Sequence, residues 1–499
     1  MYNFENNHPE FVAFSKPFGG QLDLRNRWVQ LADLIPWDEM EKRYKNNFSA
    51  TKGRKSKSVR LALGALLIKE KLKITDEETA EQVKENIYMQ YFLGFREFSK
   101  KAPFEASMMV HFRKRLGPEA INKLNEAIAV AYSKHVEKHE DNDNGPQGGN
   151  RGKLVIDATA VPQDIKHPSD VALLSDARLK SEQLIDAIYA RLPDSKKPRT
   201  YRRQARRDFL RFIKRKKKSR LFVRTGLRQQ LGFLRRNLLT IKKMIAFFDE
   251  LPLDDGEVAA WGLVREIYAQ QRHLYIQKSH SLSGKILSFS QPYVRSIARG
   301  KARGNFEFGS KMSIGVNEHG MVFIDRLQWE PYNECEDLEK QVESFKERFG
   351  RYPESVHADK IYWTRVNRQY CSERNIRLSA IPVGRPLEPT EANLPAIKAL
   401  KKQLKKDSSD RQIVEGKFGT GKRRYSWDCV HEKLPITSQV TINIIGLLLN
   451  LEKILRDLFL VPIFRLVEWM NRAMNNWSWV IFDRLGRFLR LFLVPNPIY

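Results

Sequence analysis

Leu154-Val-Ile-Asp-Ala-Thr-Ala-Val161 is an apolar, β-branched run with one acid in its middle. Such a run reads as a buried strand. An ionised carboxylate is costly to bury unless it is paired or holds a cation. Asp157 is therefore either a salt-bridged structural residue or a metal ligand presented at the centre of a sheet. The two readings separate on whether further carboxylates arrive at comparable places later in the chain.

Strand-like sequence resumes near Ile286. Phe306 to Val316 alternates, Asn317-Glu-His-Gly320 makes a turn, and Met321 to Trp329 pairs back as a hairpin. Glu334 to Phe349 is a charged amphipathic helix. Ser355 to Asp359 is a short strand, Tyr362 to Asn375 a helix and Ile376 to Pro382 another strand. This alternation describes a mixed α/β layer, in which ligands collect at the carboxyl ends of strands. Asp359 stands at such an end. Ala396 to Lys406 is a basic helix, and a second helical stretch, Asp410 to Lys417, carries Glu415. Three carboxylates can hold a pair of Mg²⁺ ions, because hard cations take oxygen ligands. Two such ions would clamp the attacking and leaving oxygens of a phosphoryl displacement. Asp164, Asp170 and Asp325 also lie near strands, but turn or surface roles suffice for them. His357, beside Asp359, is more often a packed strand histidine than a ligand.

The charge balance points the same way. The chain has 499 residues, with 88 Lys and Arg against 59 Asp and Glu, a formal net charge of +29. A protein this basic meets a polyanion, nucleic acid first and a membrane surface second. Cys335, Cys371 and Cys429 are too scattered for a disulfide framework or a zinc ribbon, which suits a reducing, cytoplasmic setting. The N-terminus lacks a signal peptide's basic start and apolar run. Ile442 to Phe464 is interrupted by Glu452, Lys453, Arg456 and Asp457, so it reads as a packing helix rather than a membrane span.

Residues 1–139 form a helical N-terminal domain in this reading. Thr75 to Glu78 fits a capping box, and Ser107 to Leu116 is a short basic helix with Arg113 and Arg115. It is either a DNA-binding bundle, of helix-turn-helix type, or a bundle with solvated lysines. Residues 140–153 read as a linker. Lys196 to Arg220 is the most basic tract. It holds Arg202, Arg203, Arg206 and Arg207 with interleaved aromatics, and suits phosphate contact. Residues 176–279 read as a basic helical insertion in a catalytic domain made of 154–175 and 280–440. Residues 441–499 read as an amphipathic tail that packs on the core or mediates dimer contacts.

Arg411, Glu415 and Lys422 stand as Arg-x-x-x-Glu-x-x-x-x-x-x-Lys. This resembles the signature of bacterial insertion-sequence transposases of the DDE type. The family's pattern opens on a Tyr, which falls on Ser408 here. Leu154-Val-Ile-Asp-Ala-Thr159 resembles the family's first-Asp strand. Phe308-Gly-Ser-Lys311 with Tyr332-Asn-Glu334 resembles its central hairpin and following turn. Ala358-Asp-Lys-Ile-Tyr362, Asn367 and Gly384-Arg-Pro386 resemble its second-Asp segment. Tyr88 to Gly94 and Phe112 to Arg115 resemble its helical N-terminal domain.

The resemblance implies an α/β core of ribonuclease-H-like type, a mixed sheet with flanking helices, interrupted by the insertion and preceded by the all-α domain. It implies Asp157, Asp359 and Glu415 as catalytic, metal-holding acids with two Mg²⁺ ions, for which Mn²⁺ substitutes. Arg411 and Lys422 would hold DNA phosphates, with Lys417 helping. The expected activity is nicking at the transposon ends followed by attack of the freed 3′-hydroxyl on target DNA. The expected partners are double-stranded DNA, both terminal repeats and target, and a second copy in a paired-end complex near the nucleoid. The rival readings are a decayed relic that binds without cutting and a structure-selective nuclease on the same core.

Overall fold

The computed structural model describes residues 22–46, 48, 56–140, 149–192, 196–298, 306–379 and 394–476, with side chains at 139–140, 396 and 459–476 set aside. The linker at 141–148, Gly384-Arg-Pro386 and the tail beyond 476 lie outside the described residues.

Six strands build one sheet: β1 (Lys153–Pro162), β2 (Arg295–Ala298), β3 (Phe306–Asn317), β4 (Val322–Gln328), β5 (Ser355–His357) and β6 (Arg377–Ser379). β1 lies centrally. It runs antiparallel to β3 over its whole length, from Leu154 opposite Asn317 to Pro162 opposite Gly309. On its other side it pairs with β5 in parallel, but only for Lys153 to Val155. The sheet order is β4-β3-β1-β5-β6, with β2 along the first part of β3. The expected hairpin is present, with a register shift between Ser313 and Ile314. Gly309 is where β3 comes closest to β1. A Cβ there would lie 2.0 Å from the Val161 carbonyl oxygen, so only glycine fits.

Helices α1 (Arg27–Leu34), α2 (Trp37–Lys45), α3 (Val59–Leu72), α4 (Asp76–Glu85), α5 (Ile87–Phe92) and α6 (Met108–Glu140) form the N-terminal region. Thr75 caps α4, its hydroxyl accepting from the Glu78 amide at 3.1 Å. α6 breaks at Gly117 (φ 69°), and Pro118 opens its second segment with a ring that needs no amide hydrogen bond. Next come α7 (Asp170–Ala190), α8 (Arg202–Lys214), α9 (Arg220–Ile245) and α10 (Asp255–Gln277). Of these four, α7, α9 and α10 bury two apolar clusters, one around Leu174 and Leu234, the other around Ile185 and Ile241. α7 begins at Asp170, and its Leu173 and Leu174 already face the first of these clusters.

The chain closes with α11 (Leu338–Phe349), α12 (Arg365–Glu373), α13 (Leu394–Arg423) and α14 (Pro435–Asn476). One correction follows. The two helical stretches expected around Glu415 are one continuous helix, α13. The segment read as a packing helix is α14, and it enters the middle of the molecule. From Val440 to Leu451 nearly all its apolar side chains are buried, against α6, α3 and β4. Asn450 completes the contact. It accepts from the Val322 amide at 2.8 Å and donates to the Val322 carbonyl and to Asn125 Oδ1, each at 2.8 Å.

N-terminal helices and sheet therefore share one hydrophobic core. Ions tie the same boundary. Lys69 on α3 reaches Glu70 at 2.5 Å and Glu432 at 3.0 Å, and Arg113 reaches Asp76 at 2.6 Å and Glu432 at 3.4 Å.

Candidate active site

β1 is rich in β-branched residues because both its faces are covered. Asp157 lies two residues beyond the last β1–β5 pair, Val155 opposite His357, so among the described residues β1 has no strand partner on that side there. The Asp157 Oδ1 accepts from the Ala158 amide at 2.8 Å. Asp359 follows β5 directly and caps the short 3₁₀ turn Lys360–Tyr362, accepting from the Lys360 amide at 2.7 Å. Glu415 comes from α13, which packs on β1, β3 and β5.

Arg411, one turn before Glu415, gathers these acids. Its Nη1 lies 3.1 Å from Asp359 Oδ1 and its Nη2 3.4 Å from Glu415 Oε1. Burial pulls the guanidinium's pKa down, but the charges of Asp359, Glu415 and Asp157 outweigh it and hold the pKa above the ordinary arginine value. Burial pushes Asp157 up to about 6. The negative charges of Glu334 and Asp359 add to this, and the Ala158 hydrogen bond and Arg411 oppose it. The structure thus brings Asp157, Asp359 and Glu415 around one cationic side chain. It also places there an acid that the sequence reading did not single out, Glu334. The signal for it was its place in the Tyr332-Asn-Glu turn. Arg411, expected on DNA phosphate, instead bridges two of the acids.

Lys422 follows Glu415 about two turns along the same face of α13 and is half-buried. Lys417 does not share that face, since two residues turn a helix about 200°. It points toward α14, where burial and then Lys453 and Arg456 lower its pKa to about 8.

Among the expected DNA contacts outside the cleft, Arg113 is corrected. It is 2% exposed, and Asp76 and Glu432 take its charge inside the fold, so it offers nothing to a phosphate. Arg115 stacks over Phe48 at 5.2 Å. Arg202 is held by both oxygens of Asp186, at 3.0 and 2.8 Å, and ties α8 to α7. Arg203, Arg206 and Arg207 are exposed on α8, with Arg211 and Lys214 on its next turns. α8 buries only Ala205 and Phe212, and Phe212 stacks on Phe222 with centroids 5.6 Å apart. An open cavity of about 630 Å³ lies between α8 and α9, lined by Arg207, Leu210, Arg211, Lys214, Arg215 and Phe222.

His357 is a packed strand histidine, 1% exposed, with its Nε2 2.9 Å from Ser355 Oγ. Asp325 is a buried partner of Arg348 at 2.8 Å, not a surface acid. Among the described residues, three groups bring metal-type ligand atoms within 4.8 Å, and Asp157, Asp359 and Glu415 are not one of them: Asp164, Cys429 and His431; Glu137, Glu318 and His319; His357, Asp407 and Asp410. Each already holds a protein cation, Lys433 on Asp164, Arg351 on Glu137, and Arg377 on Asp407 with Lys153 on Asp410.

Comparison with known proteins places the chain. Residues 17–115 match the family described as Transposase domain (DUF772), and residues 356–452 match the Transposase DDE domain, a span that includes Asp359 and Glu415. The chain belongs to the DDE transposases of insertion-sequence type. Its class cuts DNA, and DNA is its partner. It is similar to the uncharacterized protein ORF8 in the nfe locus of Rhizobium meliloti, 31% identical over 171 residues, which cover 32% of this chain and 78% of that protein. No solved structure matches it. Among the described residues, no helix is long and apolar enough to cross a membrane.

Proposed function

We propose that this transposase cuts and joins DNA at a ribonuclease-H-like core with Asp157, Asp359 and Glu415 as its metal-holding acids. The sheet order supports the core: an antiparallel β4-β3-β1 unit continued by parallel β5 and β6, with Asp157 on β1, Asp359 just after β5 and Glu415 on a helix that packs on β1, β3 and β5. The observation that carries the reading is Arg411, a cation drawn between Asp359 and Glu415 within electrostatic reach of Asp157.

The donor set fits a hard divalent ion. It consists of carboxylate oxygens, and Asp157 gives up its proton reluctantly because it is buried, with the like charges of Glu334 and Asp359 adding to this. Bound there, a pair of Mg²⁺ ions would supply Lewis-acid stabilisation of the attacking and leaving oxygens, with Mn²⁺ able to substitute. The protein's own contributions are local. Asp157 sits on the most constrained strand and fixes the floor of the site. Asp359, on a turn, and Glu415, on a helix, are 46% and 59% exposed and stay open to a DNA strand. Arg411 screens the acids while the cleft is empty of substrate and steers their carboxylates to one place. Lys422 continues that face as a phosphate contact. Arg203, Arg206 and Arg207 on the insertion extend the cationic surface along the duplex, where release of counterions supplies affinity. The terminal repeats and the target are the DNA substrates, and two copies of the chain hold two ends.

The test is cleavage of a labelled duplex carrying the element's own terminal repeat, with Mg²⁺, by wild type and Asp359→Asn. Nicking at the repeat boundary by wild type alone is expected. Tight binding with no cutting by either protein would identify a relic.

A further inference from the structure

We propose that Glu334 is a fourth carboxylate of the cation site, with Asn367 as the residue that positions it. This rests on the reading of Asp157, Asp359 and Glu415 given above.

Glu334 opens the 3₁₀ turn Glu334–Asp337 that follows the hairpin. That turn packs against the turn capped by Asp359. Asn367 clamps the two together, its Nδ2 donating to the Cys335 carbonyl at 2.9 Å and to the Tyr362 carbonyl at 3.0 Å. One amide group thereby fixes the backbone next to Glu334 against the backbone that follows Asp359.

Between the turns sits Tyr362, fully buried. Its hydroxyl has no hydrogen-bond partner in the structure. The charged groups that bear on it are Glu334, Asp157 and Asp337. A buried phenol left this way is costly unless something polar enters the space it faces. The neighbouring acids differ in what they are committed to. Asp337 is spent on the fold, with Arg326 at 2.5 Å and Ser313 at 2.7 Å. Glu334 pairs with Lys311 Nζ at 3.1 Å, and that amine also donates to the Tyr332 carbonyl at 3.0 Å. Glu334 keeps about a fifth of its side chain exposed. Its charge reaches Asp157 ahead of that of Asp359. As no more than Lys311's counter-ion, Glu334 would leave the Tyr362 hydroxyl and the two clamped turns without a purpose in common.

The experiment is Mn²⁺ titration of the full-length protein without DNA, followed by the electron paramagnetic resonance signal of free Mn²⁺. Wild type, Asp157→Asn, Glu334→Gln and Lys311→Met are compared, with thermal unfolding in chelator as the folding control. Glu334→Gln is expected to weaken Mn²⁺ binding about tenfold or more. Lys311→Met, which frees the carboxylate, is expected to tighten it. Binding by Glu334→Gln within twofold of wild type, while Asp157→Asn loses it, would overturn the proposal and leave Glu334 a structural partner of Lys311. If Glu334→Gln fails to fold, unchanged affinity in Lys311→Met overturns it equally. Wild-type affinity in Asp157→Asn would instead bring down the site reading on which the proposal rests.

Discussion

Asp157→Asn should stabilise the metal-free protein while abolishing cutting. The wild-type carboxyl titrates at 3.8 in an open chain and at about 6 in the fold. At 1.36 kcal/mol per pH unit between those values, the charged form costs the folded state up to about 3 kcal/mol at pH 7. Asparagine removes that cost and keeps an Oδ1 for the Ala158 amide. The sign follows from the raised folded value. The acid's contribution is favourable below 3.8 and is lost as pH climbs through 6. The variant's advantage should be near zero at pH 4 and complete above pH 7. Divalent metal closes most of this gap. A ligand at a hundred times its Kd stabilises the native state by about 2.7 kcal/mol, and the variant forgoes most of this. Denaturant unfolding of both proteins at two pH values, in chelator and in Mg²⁺, measures all four arms. Lower stability than wild type in chelator at pH 7, or a gap that ignores pH, would refute the reasoning.

Two further outcomes test the surroundings. Replacing Arg203, Arg206, Arg207 and Arg211 by Gln should weaken DNA binding and lower the slope of log affinity against log salt by about 3 to 4, whereas Arg202→Gln should show up as lost stability through Asp186; an unchanged salt slope in the quadruple variant would mean that this face meets something else. Gly309→Ala forces a methyl into the Val161 carbonyl and should cost about 2–4 kcal/mol in equilibrium unfolding; a cost under about 0.5 kcal/mol would show that β1 and β3 can part there without penalty.

Much of the catalytic layer could be read from the chain because its signals are local. The β-branched run at Leu154, the alternation from Phe306 and the Asn-Glu-His-Gly turn state strand, partner and turn within a few residues. The candidate site is proposed from the same signals, since a lone acid in such a strand demands company. What escaped reading depends on partners far away in sequence. Arg113 sits in a run of basic residues on a helix, and only the approach of Asp76 and Glu432 turns it inward. Lys417 looks like a neighbour of Glu415 until the helix angle is combined with the position of α14. The charges at Glu452, Lys453 and Asp457 marked α14 as a packing helix but not how deep it goes; they pair with Lys71 and with one another along its margin while Ile442 to Leu451 go inside. Glu334 lies in a turn, where acids are ordinary, and only the fold shows what stands beside it.

The burial of α14 has a bearing on how the protein is made. It is synthesised after every other described element, yet it fills the space between α3, α6 and β4. Until Asn450 emerges, the Val322 amide lacks its acceptor and three apolar faces look into water. A chain stopped before Pro435 therefore carries every acid of the cleft but has a gap through its middle. A product truncated before α14 is therefore expected to unfold rather than to compete for DNA ends, which limited proteolysis of a chain ending at residue 434 would check.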